Sequence, residues 1–176
     1  MKHNCIASAL AAFLLFSSLA FAGERVAVWP KGKMPHRQEN QIAAMTDEAA
    51  QKGFKAEKHR TAYIEWHDAP KADVRNGACM ILISGGGYNS CCDVKLVAGW
   101  AEKLTALGFQ CVNFVYRTPR PTGLPIWQTA WEDGQRAVRM VRKDAEKRGF
   151  DPEKIGTISM SAGSHLALVS RFVLLL

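Results

Sequence analysis

Short apolar runs alternate with amphipathic segments along the second half of the chain. Residues 78–84 and 110–116 are continuous apolar runs bounded by turn residues, and residues 154–159 form a third strand-like run. Continuous apolar runs of this length are typical of strands buried on both faces of a sheet. Because a helical pattern follows each run, the sequence predicts an α/β fold, with a parallel sheet, right-handed crossovers and flanking helices.

The segments between these strands have helical spacing. Asp93 can cap a first helix whose apolar positions recur at three- and four-residue steps up to Leu107, with Gly108 as its C-terminal stop. A long second helix has one small and apolar stripe and ends at Gly149, and a third helix begins at Ala162. The members of the stripe are Ile126, Ala130, Gly134, Ala137, Val141 and Ala145.

The part of the chain before residue 78 has weaker patterning. Residues 26–29 and 63–66 predict two short strands. Apolar positions on one face of residues 41–51 predict a short helix that ends near Gly53.

The first 22 residues have the composition of a secretory signal peptide. Lys2 precedes an apolar run over residues 6–19, and Ala20 and Ala22 form a small-x-small cleavage site. The run has roughly 14 residues, whereas about 20 are needed to span a bilayer. We therefore expect cleavage after Ala22 and no membrane anchor. Residues 23–176 would then be a partial domain located in the periplasm or outside the cell.

Basic residues give the chain a formal net charge of +7, of which Lys2 would leave with the signal peptide. The densest cluster falls at helical spacing in the long predicted helix, and no aromatic or glycine-rich nucleic-acid-binding pattern accompanies it. We interpret this cluster as the solvated outer face of the helix and expect no nucleic-acid partner. It comprises Arg136, Arg139, Arg142, Lys143, Lys147 and Arg148.

Four cysteines remain in the expected mature chain, in a compartment that permits disulfides. Cys79 and Cys111 fall inside predicted strands, which predicts buried thiols, whereas the adjacent Cys91 and Cys92 could close only a strained ring on each other. The pairing among the four stays open. No CxxC and no His/Cys cluster has metal-ligand spacing, so the sequence predicts neither a metal nor another cofactor.

A strand, a turn of small residues and a helix are predicted around Ser161. Residues 155–165 read IGTISMSAGSH and place Ser161 at the apex of the turn. A nucleophile elbow has this arrangement, because small neighbours allow the sharp turn that exposes a serine hydroxyl at a helix N-terminus. The usual pattern is G-x-S-x-G, and Ser159 replaces its first glycine here. Taken alone, the pattern also fits an ordinary strand-to-helix turn.

Three consecutive glycines, residues 85–87, follow the first buried strand and are called the glycine loop below. In a fold with a nucleophile elbow, this loop supplies backbone N–H groups that stabilise a developing oxyanion. A phosphate-binding loop would need a G-K-[ST] or G-x-G-x-x-G pattern, and neither follows. Gly86 or Gly87, together with the N–H of Ala162, are therefore the candidate oxyanion hole.

Several segments together resemble one family. GGGY after the first buried strand, YRTP after the second, AWEDGQRAVRMVR in the long helix, DPEKIG and SMSAGSHLA resemble the bacterial secreted esterase/lipase group of the α/β-hydrolase fold. That group includes acetyl-xylan esterases and feruloyl esterase-like enzymes, and it is similar to hormone-sensitive-lipase-type hydrolases. The resemblance covers residues 78–169. It implies that Ser161 is the nucleophile, that the glycine loop forms the oxyanion hole, and that small acyl esters or acetylated polysaccharides are substrates.

The resemblance also marks residues that are not expected to react. Members of the group carry G-F-S-A-G-G-H-L, so Ser159 and Ser164 stand in place of glycines. His165 matches a histidine of the group that is separate from the catalytic one, and we assign it a structural role. Asp133 and Arg136 match a D-x-x-R pattern that is expected to form a scaffold ion pair or a cap.

The catalytic acid and histidine of the group follow the nucleophile in the chain order Ser, Asp or Glu, His. His36, His59 and His67 all precede Ser161, and the sequence ends at Leu176. We therefore expect a C-terminally truncated α/β-hydrolase domain that is near-inactive alone. A catalytically dead binding protein, and a lipase or peptidase on the same fold, are the alternative functions. The sequence leaves the oligomeric state open.

Overall fold

The computed structural model describes residues 23–36, 61–69, 72–91 and 94–172. The strands are β1 (Glu24–Ala27), β2 (Tyr63–His67), β3 (Cys79–Ile83), β4 (Gln110–Val115) and β5 (Ile155–Ser159). The helices are α1 (Val94–Ala106), α2 (Gln128–Lys143), α3 (Ala145–Arg148) and α4 (Ala162–Phe172), with a 3-10 turn at Ala72–Val74. None of these helices is long and apolar enough to cross a membrane. The predicted signal peptide and the predicted helix over 41–51 lie outside the described residues.

The strands form one sheet in the order β1-β2-β4-β3-β5. β3 lies between β4 and β5 and runs parallel to both, with Ile81 opposite Val112 on one side and Thr157 on the other. These three strands confirm the parallel arrangement predicted from the alternation of strands and helices. β2 pairs antiparallel with β1 and with β4, so β1 and β2 make the sheet mixed.

Helices cover both faces of the sheet, and the two-residue period of β3 sends side chains to each face. Ile81 and Ile83 belong to the larger apolar cluster, which includes residues of α2 and α4. Leu82 packs instead with Val97 and Ala101 of α1. All five side chains are buried, which confirms the prediction of a strand covered on both faces.

The small-residue stripe of α2 packs against α4. Gly134 marks the closest approach, because an ideal Cβ there would lie 2.5 Å from Ser170 Oγ. Ile126 precedes α2 and is 49% exposed, so its assignment to the stripe was wrong. Leu107, which was predicted on the apolar face of the first helix, lies beyond the end of α1 and is 69% exposed. The stripe members that are buried as predicted are Ala130, Gly134, Ala137, Val141 and Ala145.

The interpretation of the basic cluster as a solvated helix face is wrong for Arg148. Its side chain is buried and bonds to the carboxylates of Glu24 and Asp68. Its guanidinium carbon lies 4.2 Å from the centre of the Trp66 ring. The helical spacing could not reveal this, because the partners come from the distant strand β1 and from the end of β2. The cluster members that are exposed as predicted are Arg139, Lys143 and Lys147.

Asp133 of α2 hydrogen-bonds to the segment that follows β4. Its two carboxylate oxygens accept hydrogen bonds from the backbone N–H and from Nε of Arg117, both at 2.9 Å, and Trp29 Nε1 donates at 2.6 Å. Asp133 is fully buried, and these donors compensate a charge that would be costly to bury alone. Asp133 is therefore part of the scaffold, as expected, but its partner is Arg117. The predicted partner Arg136 lies over the Trp29 ring instead.

The cysteines of β3 and β4 are buried. Cys79 and Cys111 are free thiols, as their place inside strands predicted. Burial raises the pKa of the Cys79 thiol well above its ordinary value and raises the pKa of Cys111 to about 12. Cys91 is also buried, and its Sγ donates to Tyr116 O at 3.6 Å. Cys92 lies outside the described residues.

Candidate active site

β5 and α4 are joined by a sharp turn with Ser161 at its apex. Ser161 has a φ of +50°, a left-handed conformation that non-glycine residues rarely adopt and that is enriched at active sites. The turn is closed by a hydrogen bond from the Gly163 N–H to Met160 O at 2.8 Å. Ser161 is exposed, as a serine at the apex of a nucleophile elbow must be to meet a substrate.

Small residues around the turn allow α4 to approach the end of β3. An ideal Cβ on Gly163 would lie 2.4 Å from Ser84 O and 2.7 Å from Ile83 O, so a side chain does not fit there. Ser159 and Ser164 replace the glycines of the group that the sequence resembles, and the Ser159 hydroxyl donates to Ser164 Oγ at 3.3 Å. The two departures from the family pattern therefore contact each other.

The glycine loop lies directly against this turn. An ideal Cβ on Gly85 would lie 3.0 Å from Ser161 Cβ and 3.0 Å from Met160 O. Gly86 and Gly87 have φ values of +132° and +59°, and side chains are strained in this region. The structure therefore brings together the two segments that the sequence analysis assigned to the nucleophile and to the oxyanion hole.

Several backbone N–H groups in these two segments have no hydrogen-bond acceptor among the described residues, including those of Gly86, Gly87 and Ala162. The Gly86 carbonyl oxygen, in contrast, accepts from the Ser90 N–H at 3.2 Å, which folds the loop back on itself. N–H groups without an internal partner, beside an exposed hydroxyl and at the N-terminus of α4, can stabilise a negatively charged oxygen.

Tyr88 is a site residue that the sequence analysis did not identify. It directly follows the glycine loop, has a φ of +63° and is 4% exposed. Its hydroxyl lies 2.7 Å from His165 Nδ1. Burial raises the pKa of the Tyr88 phenol to about 12, so the phenol is neutral at physiological pH. The sequence signal was the aromatic residue after the three glycines, but 77 positions separate it from His165.

No described histidine hydrogen-bonds to the Ser161 hydroxyl. The Nδ1 atom of His165 contacts the Tyr88 hydroxyl, and Nδ1 of His36 lies 2.6 Å from a carboxylate oxygen of Glu132 in α2. His67 lies on β2, and burial lowers its pKa. His59 lies outside the described residues. Within the described ranges there is also no group of three His, Cys, Asp or Glu that could hold a metal ion.

The residues that build this site lie within a segment that matches a known family model. The BD-FAE family model matches residues 68–173, which is more than half of the chain. The chain belongs to the BD-FAE family. This BD-FAE chain is also 35% identical, over 88 residues, to endo-1,4-beta-xylanase B of Butyrivibrio fibrisolvens, a match that covers 50% of the chain and 14% of that protein.

Two solved structures have the same fold as the BD-FAE chain. The acetyl ester-xyloside bifunctional hydrolase from Caldicellulosiruptor lactoaceticus superposes with a TM-score of 0.54 at 24% identity, over 86% of the chain and 47% of that structure. Thermogutta terrifontis esterase 2 gives a TM-score of 0.57 at 19% identity, over 83% of the chain and 44% of that structure. These neighbours confirm the predicted α/β-hydrolase fold. The BD-FAE chain spans about half the length of each.

Proposed function

We propose that this BD-FAE protein is a serine-dependent carboxylic ester hydrolase that removes acetyl or similar small acyl groups from polysaccharides. The observation that carries the proposal is the contact between a strained serine and the glycine loop. Ser161 has a positive φ at the apex of a strand-turn-helix, and an ideal Cβ on Gly85 would lie only 3.0 Å from Ser161 Cβ. Strain of this kind persists where the surrounding structure enforces it, and it is concentrated at functional sites.

The proposed reaction has two steps. Ser161 Oγ attacks the ester carbonyl carbon while a general base removes its proton, and the carbonyl oxygen becomes an oxyanion. The N–H groups of Gly86 or Gly87 and of Ala162 donate to that oxyanion. Collapse of the tetrahedral intermediate breaks the bond to the alcohol, which leaves with a proton, and an acyl-serine remains. Water then attacks the acyl-serine by the same route and releases the carboxylic acid.

The general base of this reaction is proposed to lie outside the described residues. The His165 side chain hydrogen-bonds to Tyr88, and no described histidine side chain bonds to the Ser161 hydroxyl. In the chain order of this fold, the acid and the histidine follow the nucleophile. We therefore propose that the 176-residue polypeptide is near-inactive by itself, because loss of a triad member lowers turnover by about 10⁴- to 10⁶-fold.

The substrate proposal is supported by the names of the relatives and by the predicted signal peptide. One relative is named a xylanase and one structural neighbour an acetyl ester-xyloside hydrolase. We also propose that the protein is exported after cleavage behind Ala22, which would bring it to extracellular polysaccharide. No described histidine bonds to the Ser161 hydroxyl, so a non-catalytic binding protein is the alternative, and the experiment below separates the two.

The test compares the 176-residue chain with an extended enzyme, in which these residues are continued by the C-terminal half of a BD-FAE family member that supplies an Asp and a His. Cleavage of a small acetyl ester and acetate release from acetylated xylan are measured. We expect turnover in the extended enzyme, abolished by Ser161→Ala and retained by the neighbouring control Ser164→Ala. A folded extended enzyme without turnover would support the binding protein. Turnover that survives Ser161→Ala would overturn the proposed nucleophile.

A further inference from the structure

The backbone of Tyr88, directly after the glycine loop, has a strained conformation. Gly86, Gly87 and Tyr88 have successive φ values of +132°, +59° and +63°. Glycine tolerates these values, but tyrosine does not adopt them without external contacts. A non-glycine residue in this region is held there by its surroundings, so the contacts of the Tyr88 side chain determine the path of the glycine loop.

Those contacts connect Tyr88 to the helix that follows Ser161. The Tyr88 hydroxyl lies 2.7 Å from His165 Nδ1, and the two rings meet edge to face with centroids 6.1 Å apart. The backbone N–H of His165 donates to Ser161 O at 3.3 Å. His165 therefore contacts the residue after the glycine loop through its side chain and the elbow serine through its backbone.

The other end of the loop is fixed through Tyr116, the residue after β4. Its ring centroid lies 5.8 Å from that of Tyr88, and its hydroxyl donates to Ser84 O at 3.2 Å. Ser84 precedes the three glycines, and Tyr88 follows them. Both ends of the loop thus contact the sheet and α4, whereas the N–H groups between them have no acceptor in the part of the chain that the structure describes.

We propose that Tyr88 and His165 are positioning residues that hold the N–H groups of Gly86 and Gly87 where the oxyanion forms. The inference rests on the proposed ester hydrolysis. Oxyanion donors accelerate the reaction because they are already oriented before charge develops, and displacements of about 0.5 Å are enough to impair such a site. Neither side chain is required to touch the reacting atoms. Their hydrogen bond fixes the distance between the loop and the elbow.

The test uses variants that change this hydrogen bond and little else. Tyr88→Phe removes the hydroxyl and keeps the ring. His165→Asn keeps a hydrogen-bonding atom near the position of Nδ1, whereas His165→Leu removes it. In the extended enzyme we expect kcat to fall about ten-fold for Tyr88→Phe and His165→Leu, less than the about 10²- to 10³-fold loss of a whole oxyanion donor. KM should stay within about two-fold, and His165→Asn should recover most of kcat.

A second measurement uses the 176-residue chain and needs no turnover. Hydrogen exchange of the Asn89 and Ser90 amides, which donate to Gly86 O at 3.0 and 3.2 Å, should accelerate in Tyr88→Phe and His165→Leu and return toward the wild-type rate in His165→Asn. The exposed neighbour variant Ser164→Ala is the control and should leave loop exchange and kcat unchanged. Unchanged loop exchange or an unchanged kcat in Tyr88→Phe would overturn the positioning role. Complete loss of turnover in both folded His165 variants would overturn it in favour of His165 as the base.

The Ser161→Ala control separates the two proposals. If Ser161→Ala retains turnover, the proposed function fails whatever the Tyr88 variants do. If Ser161→Ala abolishes turnover while Tyr88→Phe is indistinguishable from wild type, the ester hydrolase stands and only the positioning role fails.

Discussion

Gly85 and Ser161 are packed so closely that an ideal Cβ on the glycine would lie 3.0 Å from the serine Cβ. The two residues are far apart in the sequence, and each lies two residues after a strand, Gly85 after β3 and Ser161 after the neighbouring strand β5. Parallel strands bring their carboxyl ends to one edge of the sheet, which is where open α/β sheets bind their ligands. The contact therefore couples the position of the glycine loop to that of the proposed nucleophile.

Substitution of Gly85 should disturb both segments. In Gly85→Ala the new methyl group would meet Ser161 Cβ and the Met160 carbonyl oxygen, so we expect a stability loss of about 1–3 kcal/mol from overpacking. Turnover of the extended enzyme should also fall. The matched control is Gly99→Ala in α1, where nothing lies within 4 Å of the added Cβ and stability should rise by up to about 1 kcal/mol. Urea unfolding and ester turnover check both variants, and wild-type behaviour of Gly85→Ala would contradict the close contact.

Gly163 should be sensitive to a change that normally stabilises helices. Alanine in place of glycine within a helix gains about 1 kcal/mol. At Gly163, however, the added Cβ would lie 2.4 Å from the backbone oxygen of Ser84, and neither segment can yield without separating α4 from the sheet. We expect Gly163→Ala to lose about 2 kcal/mol or more, whereas Ser164→Ala should change stability by at most about 0.5 kcal/mol. Chemical denaturation of the two variants measures the difference, and equal stabilities would refute the packing argument.

The sequence predicted the parts of the fold and site that depend on local patterns. The buried strand β3, the small-residue stripe of α2 and the elbow at Ser161 follow from apolar periodicity and from small residues at fixed spacing. The direction of β1 and β2 was not predictable, because short isolated strands do not specify their partners. The contact between Tyr88 and His165 and the burial of Arg148 were also missed, since each joins residues that only the tertiary fold brings together.

Arg148 should contribute more to stability than its exposed neighbour. Its guanidinium bonds to Glu24 and Asp68 and lies over Trp66, and Arg148→Ala would remove all three contacts. We expect a loss of about 1–3 kcal/mol, reduced by solvent screening because both carboxylates are partly exposed. Lys147→Ala on the same short helix should change stability by at most about 0.5 kcal/mol. Thermal and urea unfolding measure both, and a neutral Arg148→Ala would restore the interpretation of the cluster as a solvated face.

Export can be tested directly on the N-terminus of the protein. If the signal peptide is cleaved after Ala22, N-terminal sequencing of the exported protein should begin at Gly23 or within about two residues of it. The protein should be recovered in the soluble extracytoplasmic fraction. Replacement of Ala20 and Ala22 by bulky residues should block processing, while a change at the exposed Lys31 should not. An intact N-terminus in the membrane fraction would overturn the proposed localisation.

The buried thiols should respond to pH in a predictable direction. Burial raises the pKa of Cys111 to about 12 and also raises that of Cys79, so both remain protonated in the folded protein at pH 8–9. An unfolded chain loses these protons near the ordinary thiol value of about 8.5. Because the folded state then binds more protons than the unfolded state, stability should fall as the pH rises from about 8.5 toward 12.

Two measurements check this expectation. Iodoacetamide should label Cys79 and Cys111 slowly at pH 8.5 in the native protein and rapidly in denaturant, because the thiolate is the reactive species. The alkaline decline of the unfolding free energy should be shallower in Cys111→Ala, whatever stability that variant loses from its missing side chain. Rapid labelling of Cys111 in native protein, or an unchanged pH slope in Cys111→Ala, would show that the thiol is not held in its protonated form by burial within the sheet.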